Sequence, residues 1–104
     1  MNVIATKTIN AYRECYPEAD QALRTWVGIM RKHTFNHFME LKDVFRSADL
    51  IADGIIVFNI KGNNFRLIVN VDFTRQQAYV KWFGRHKEYD KINPLEVKHE
   101  YPPC

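Results

Sequence analysis

Between Gly54 and Arg85 the β-branched and aromatic residues come in three runs, separated by Lys61 to Asn64 and by Thr74 to Gln77. This punctuation constrains the fold more than any other feature, because it predicts strands over Gly54 to Ile60, Phe65 to Phe73 and Ala78 to about Arg85. Three such strands make an antiparallel meander. Upstream the period is helical: Ala22, Leu23, Trp26, Val27 and Met30 recur at three- and four-residue spacing, which predicts a helix over about 19–33 with one apolar stripe. A short strand at Asn2 to Ala5 precedes a first helix from Thr6 to about Tyr16, stopped by Pro17. The segment 34–49 is less regular, with a short helical turn expected at Leu41 to Ser47. Helices followed by strands imply an α+β domain.

The chain has 104 residues, 46% of them apolar, so it holds one core and no second one. We place a single domain over 1–93 and a mobile tail over 94–104, where Pro94, Pro102 and Pro103 fall among few apolar anchors. Lys and Arg number 15 against 12 Asp and Glu, a balance of +3 that permits an anionic partner without demanding one. Cys15 and Cys104 have no metal-type spacing and suggest no disulfide framework, so both are expected as reduced thiols. No stretch approaches the ~20 apolar residues that cross a bilayer, and no basic leader precedes an apolar run. The expected location is cytoplasmic, with no membrane contact.

Turn closure then sorts the side chains. Closing the first turn at Ile60 and Phe65 sets Asn59 opposite Arg66 and Phe58 opposite Leu67. Closing the second at Phe73 and Ala78 sets Asp72 opposite Tyr79, Asn70 opposite Lys81 and Arg66 opposite Arg85. Side chains alternate along strands, so one face collects Ile56, Phe58, Ile60, Phe65, Leu67, Val69, Val71, Val80 and Trp82 as a core layer. The other, expected to stay wet, carries Asn59, Arg66, Asn70, Asp72, Tyr79, Lys81 and Arg85, with Ile55, Val57, Ile68 and Phe83 between them. Like charges on adjacent strands repel unless an anion sits over them. A solvated polar face explains the pattern as simply. The functional alternative has Arg66, Lys81 and Arg85 gripping phosphates while Tyr79 or Phe83 stacks on a base.

Two runs carry more information than their periodicity. V-F-N-I-K-G-N-N-F-R-L-I-V at Val57 to Val69 and W-F-G-R-H-K-E-Y-D-K-I at Trp82 to Ile92, with T-K-T-I at Thr6 to Ile9 and Tyr16-Pro17-Glu18-Ala19, closely resemble the HigB toxins of type II toxin–antitoxin systems. The resemblance covers the chain to about Asn93. It implies a RelE-like α+β domain, with N-terminal helices on one face of a mainly antiparallel sheet that ends in the three-stranded meander. It also implies an mRNA interferase, an endoribonuclease that needs no metal and cuts messenger RNA on the translating ribosome. Its implied partners are a HigA-type helix-turn-helix antitoxin, messenger RNA, ribosomal RNA and, only through the antitoxin complex, operator DNA. Arg85 stands where Thr is common in the family, and Phe65 where Tyr is common.

Cleavage without a cofactor lets the ribose 2′-hydroxyl attack the next phosphate, so it needs a base, positive charge for the transition state and an acid for the leaving 5′-oxygen. Arg66 and Lys81 fit the phosphate. His86 suits proton transfer, its unperturbed pKa being about 6.5, and Tyr89 can orient it, donate a hydrogen bond or stack. Strand alternation alone would turn His86 toward the core; Gly84 is expected to break it. Lys61, Asn59, Asn70, Tyr79, Phe83 and Arg85 complete the expected RNA contacts. His33 and His37, four apart without a third ligand, do not make a zinc site. Two other classes share such a sheet: a RelE-like toxin with another target such as gyrase, and a non-catalytic module that binds an antitoxin.

Overall fold

The structure is a computed structural model in which residues 1–4 and 6–97 are described, Thr6 by its backbone alone. Its elements run β1 (Asn2–Ile4), α1 (Thr6–Cys15), a 3-10 turn (Pro17–Ala19), α2 (Asp20–Lys32), α3 (Phe38–Val44), β2 (Asp49–Ala52), β3 (Ile55–Ile60), β4 (Phe65–Asp72), β5 (Gln77–Arg85) and α4 (His86–Tyr89). The strands form one sheet in the order β1-β5-β4-β3-β2, with β1 parallel to β5 and every other pairing antiparallel. The α+β architecture with helices on one face is as expected, and the meander is β3-β4-β5. Two elements were not foreseen. β2 adds a fourth antiparallel strand at the edge, and α4 follows β5 without a loop. No helix among the described residues is long and apolar enough to cross a membrane.

The helical layer is held by Leu23, Trp26 and Met30 of α2, which are almost fully buried and meet Ile56, Phe58, Ile60, Phe65, Leu67, Val69 and Val71 of the sheet. Rings lock this interface: Trp26 and Phe45 both meet Phe58 edge-on, at 5.4 and 5.1 Å between centroids, and Phe65 stacks on Phe83 at 5.2 Å. Such pairs contribute beyond the area they bury. Pro17 ends α1 as expected. Cys15 is disulfide-bonded, which corrects the expected reduced thiol, while Cys104 lies outside the described residues. The expected tail is described only to Val97, where Asn93 accepts the N–H groups of Glu96 and Val97 at 3.1 and 3.0 Å.

The first hairpin closes as expected, Ile60 opposite Phe65 and Asn59 opposite Arg66. The second does not. It closes at Asp72 and Gln77, so Asn70 faces Tyr79 rather than Lys81, and Asp72 faces Gln77 rather than Tyr79. A slip of two residues keeps every side chain on its face; what changes the faces is a bulge. Val69 pairs with Val80 and Ile68 with Trp82, leaving Lys81 as an extra residue. Beyond it Phe83 turns into the core, where only 2% of it is exposed, and Trp82 turns out, reversing the expected places of both. Arg66 faces Gly84, and Arg85 faces Phe65, so the two arginines are not neighbours across the ladder.

The turns explain the registers. Lys61 and Gly62 carry φ of 53° and 63°, and the four-residue loop lets Asn64 donate to the Lys61 carbonyl at 3.3 Å. In the second turn Gln76 takes φ of 55°. Its side chain offsets that strain: Nε2 donates to the carbonyls of Phe35 and Phe73 at 2.6 and 2.7 Å, and Oε1 accepts the Phe35 N–H at 3.2 Å. One side chain ties the loop before α3 to the β4-β5 turn. Gln76→Ala leaves the half-buried Phe35 backbone unpaired, and urea unfolding should show a loss of about 1–3 kcal/mol. An unchanged midpoint would contradict this role for Gln76.

Candidate active site

The sheet face turned away from the helices is not wet throughout. Val57 and Ile68 alternate with core residues and therefore belong to this outer face, yet they are 4% and 0% exposed. The bulge is the reason: Trp82 now stands beside Ile68, and its indole crosses Gly84, where an added Cβ would lie 2.6 and 2.7 Å from ring carbons Cη2 and Cζ2. Gly84 therefore serves as a bed for Trp82; its backbone does not break the alternation. Tyr89 meets the same indole at 6.3 Å between centroids.

Arg66 sits beside this aromatic pair. Its Nη1 donates to the carbonyls of Asn63 and Phe65 at 3.2 and 3.1 Å, and its Nη2 to Asn63 Oδ1 at 2.6 Å. These acceptors are neutral, so they fix the guanidinium without cancelling its charge. That is the condition for a preorganised anion clamp. Asn63 was read from sequence as a turn residue only; its position three before an arginine at a hairpin end is the signal that was there.

α4 brings the remaining groups to this corner. The His86 N–H donates to the Asn64 carbonyl at 2.9 Å, and the Glu88 carboxylate accepts the Arg85 N–H at 3.0 Å, capping the short helix. His86 and Tyr89 are three residues apart and share one side of the turn. His86 Nε2 lies 3.4 Å from the Asp90 carboxylate, with both side chains solvated. Asn63, Asn64, His86 and Asp90 line an open cleft of about 610 Å³, into which Glu18, Arg85 and Lys87 also face. Burial raises the Tyr89 pKa above its ordinary 10, the nearby Arg66 charge lowers it, and Asp49 and Asp90 raise it. Tyr89 therefore stays protonated at neutral pH.

The structure thus gathers Arg66, Tyr89 and His86 around the Asn63-Asn64 turn, with Asn59 opposite Arg66 and Lys61 in the same turn. Lys81 and Trp82 lie on the same outer face. Asn70 and Tyr79 pair with one another four residues down β4, roughly 13 Å away by strand rise. Two expected contacts are corrected. Phe83 is buried under the helices and offers no surface to a base. Arg85 lies on the helical side, 2.5 Å from the Glu18 carboxylate and over the rings of Tyr16 and Phe65 at 5.4 and 5.3 Å, so it staples β5 to the 3-10 turn. Trp82 and Asp49 are site neighbours that sequence reasoning missed: one was assigned to the core, the other lies on the unforeseen β2. His33 stacks on Phe35 and its Nδ1 contacts the Ile29 carbonyl at 2.8 Å.

The domain thus presents a fixed arginine and a protonated tyrosine at one end of its outer sheet face, with a histidine on the cleft beside the Asn63-Asn64 turn. Residues 19–92 match the family model of the HigB toxin, described as the RelE-like toxic component of a toxin–antitoxin system. The chain belongs to that family. It is 34% identical over 92 residues to the mRNA interferase toxin HigB of Escherichia coli strain K12, covering 86% of this chain and 88% of the relative. An mRNA interferase HigB of Shigella flexneri matches to the same extent, and one of Escherichia coli O6:H1 is 26% identical over 88% of this chain and 91% of its own length.

Two outcomes test this geometry. Gly84→Ala must displace the Trp82 indole, so urea unfolding should show a loss of about 1–3 kcal/mol together with a shift in tryptophan emission. Wild-type stability would mean that the indole does not lie on Gly84. The second concerns the Tyr16 pKa, raised above 10 by burial and then by the charge and hydrogen bond of Glu88, while Arg85 lowers it. A raised folded-state pKa contributes stability below pH 10 that is lost as pH climbs through the folded value. In a phenolate absorbance titration Glu88→Gln should bring the Tyr16 transition down while leaving it above the ordinary value. An unmoved transition would contradict the Glu88 contact.

Proposed function

We propose that this chain is an mRNA interferase that cleaves messenger RNA during translation, without a metal, by attack of a ribose 2′-hydroxyl on the adjacent phosphate. The observation that supports this reading is Arg66: its guanidinium is held on neutral acceptors of the Asn63 turn, with its charge felt at Tyr89 and with the His86 N–H bonded to the next residue of the same turn, so it is free to take a phosphate. The relatives named mRNA interferase support the same reaction class.

In this mechanism Arg66 binds the non-bridging phosphate oxygens, and its charge matters most as the phosphorane-like transition state gains negative charge. Lys81, half-buried on the outer face, adds a second cation. His86 moves protons, with Lys81 the other candidate for the base that removes the 2′ proton. As the O2′–P bond forms, the P–O5′ bond breaks and its oxygen takes a proton, leaving a 2′,3′-cyclic phosphate and a 5′-hydroxyl. Tyr89 donates its O–H to a phosphate oxygen. Trp82 and Tyr89 offer rings to the flanking bases. Lys61 and Asn59 follow the strand near the cut, and Asn70 and Tyr79 contact it further along.

The ribosome presents the message, and its RNA phosphates meet the basic residues of the helical layer, which makes association salt-dependent. A HigA-type helix-turn-helix antitoxin silences the toxin and carries it to operator DNA in the complex. The reaction takes place in the cytoplasm.

Primer extension on messenger RNA from cells expressing the protein should reveal new 5′ ends inside translated codons. Removing one such charge contact typically costs about 10²–10³ in rate, so Arg66→Ala should erase those ends and the growth arrest, and His86→Ala should do the same. Growth arrest without new 5′ ends would point to a different target such as gyrase. Arrest as strong as wild type in both variants would overturn the site.

A further inference from the structure

Asp49 opens β2, and its partner across the ladder is Val57. Val57 pairs with Ile68 and Ile68 with Trp82, so one row across the outer face runs from a carboxylate through two buried aliphatic side chains to an indole. The neighbouring row, Asn59, Arg66 and Gly84, carries the guanidinium, roughly 7 Å away by strand rise. Tyr89 lies within the field of both rows. It meets the Trp82 indole, and after burial the charges that act most on its phenol are those of Arg66 and then Asp49. The carboxylate is out of place on a face that binds RNA, because an anion repels the phosphates that Arg66 attracts. Asp49 is exposed, and its side chain makes no hydrogen bond or ion pair among the described residues, so it caps no element and ties no loop. Asp72 and Asp90, by contrast, engage the Arg75 N–H and His86.

What such a group can add is discrimination. An ionised carboxylate accepts hydrogen bonds and donates none, so it favours a base edge that donates and opposes one that accepts. We infer that Asp49 selects the base that lies on Trp82 and Tyr89 beside the cut, accepting a hydrogen bond from the exocyclic amine of adenine, cytosine or guanine and turning uracil away. Adenine N6, cytosine N4 and guanine N2 are amino donors, whereas uracil presents O4 and O2 as acceptors with its one imino N–H between them. Single-stranded RNA leaves these edges open to be read. Arg66 and Asp49 then divide the work: the guanidinium holds the phosphate of any nucleotide, and the carboxylate sorts the bases. This inference rests on the cleavage reading above and deepens it by naming the class of base at the site.

Cytosine and uracil have the same ring size and differ on the edge Asp49 would read, so comparing them separates the carboxylate from stacking. Two short 2′-O-methylated oligonucleotides, one all cytidine and one all uridine, are titrated into the ¹⁵N-labelled full chain, and binding is followed on the Trp82 indole N–H signal. The wild-type chain should bind the cytidine oligomer about fivefold or more tighter. Asp49→Asn, whose amide donates as well as accepts, should tighten the uridine oligomer and bring the two affinities together, while Asp49→Glu should keep the preference for cytidine. Equal affinities in the wild type would overturn the assignment. So would an Asp49→Asn chain that tightens both oligomers by the same factor, as loss of a merely solvated charge does. In cells, the 5′ ends formed by Asp49→Asn should spread to uridine positions that the wild type spares. New 5′ ends whose distribution ignores Asp49 would leave the cleavage reading standing and remove this one. A cytidine preference that Asp49→Asn abolishes, in a chain that makes no 5′ ends, would do the reverse, because binding is read on RNA that cannot be cut.

Discussion

One extra residue in β5 decides what each side of the molecule can do. Because Lys81 has no counterpart on β4, Val80 and Phe83 both point at the helices while Lys81 and Trp82 both point away. Without that bulge Trp82 would be core, Phe83 would lie in solvent, and Arg85 would stand on the outer face with Arg66. With it, Phe83 stacks on Phe65 beneath Tyr16, and Arg85 closes over the same rings to reach Glu18. The outer face receives an indole in exchange for a phenyl ring and loses one of its arginines. Bulges are common where a strand must re-aim side chains next to a functional site.

The consequence is a clean separation of duties among the cations. Arg85 is neutralised by Glu18 and has a mechanical part to play. Arg66 keeps its charge because asparagine and backbone oxygens hold it, and its field reaches the Tyr89 phenol. Tyr16 and Tyr89 are both pushed toward the protonated state, but for different ends: Tyr16 donates to Glu88 and so steadies α4, while Tyr89 keeps its proton on the outer face. The four-residue helix is thus held at both ends, by Glu88 on the Arg85 N–H and by the Asn64 carbonyl on the His86 N–H. That is what places an imidazole on a segment too short to be stable alone.

Much of this is legible in the sequence. Strong β runs between Gly54 and Arg85 and the Leu23-Trp26-Met30 stripe were enough for the meander and its helical cover, and the first hairpin register followed from its four-residue turn. The second turn has no glycine to mark its positive φ; Gln76 takes that conformation because its side chain bonds Phe35, a contact 41 residues away in sequence. Neither could alternation reveal the bulge, since Trp82 and Phe83 are both large and apolar and fit either face. β2 is short and half exposed, and α4 is a single turn, so neither has a period to detect. The chemical identities of Arg66, His86 and Tyr89 were readable from the resemblance; the partners that position them, Asn63 and Trp82, required the fold.

The central claim is that the corner between the Asn63-Asn64 turn and α4 holds a single RNA phosphate. A crystal structure with a short oligonucleotide whose 2′-oxygens are methylated, and which therefore cannot be cut, tests it directly. The account expects one phosphate within hydrogen-bond distance of the Arg66 guanidinium, with His86 facing the blocked 2′-oxygen and a base against Trp82 or Tyr89. A phosphate chain that instead runs over α1 and α2, leaving Arg66 on its Asn63 acceptors alone, would contradict it.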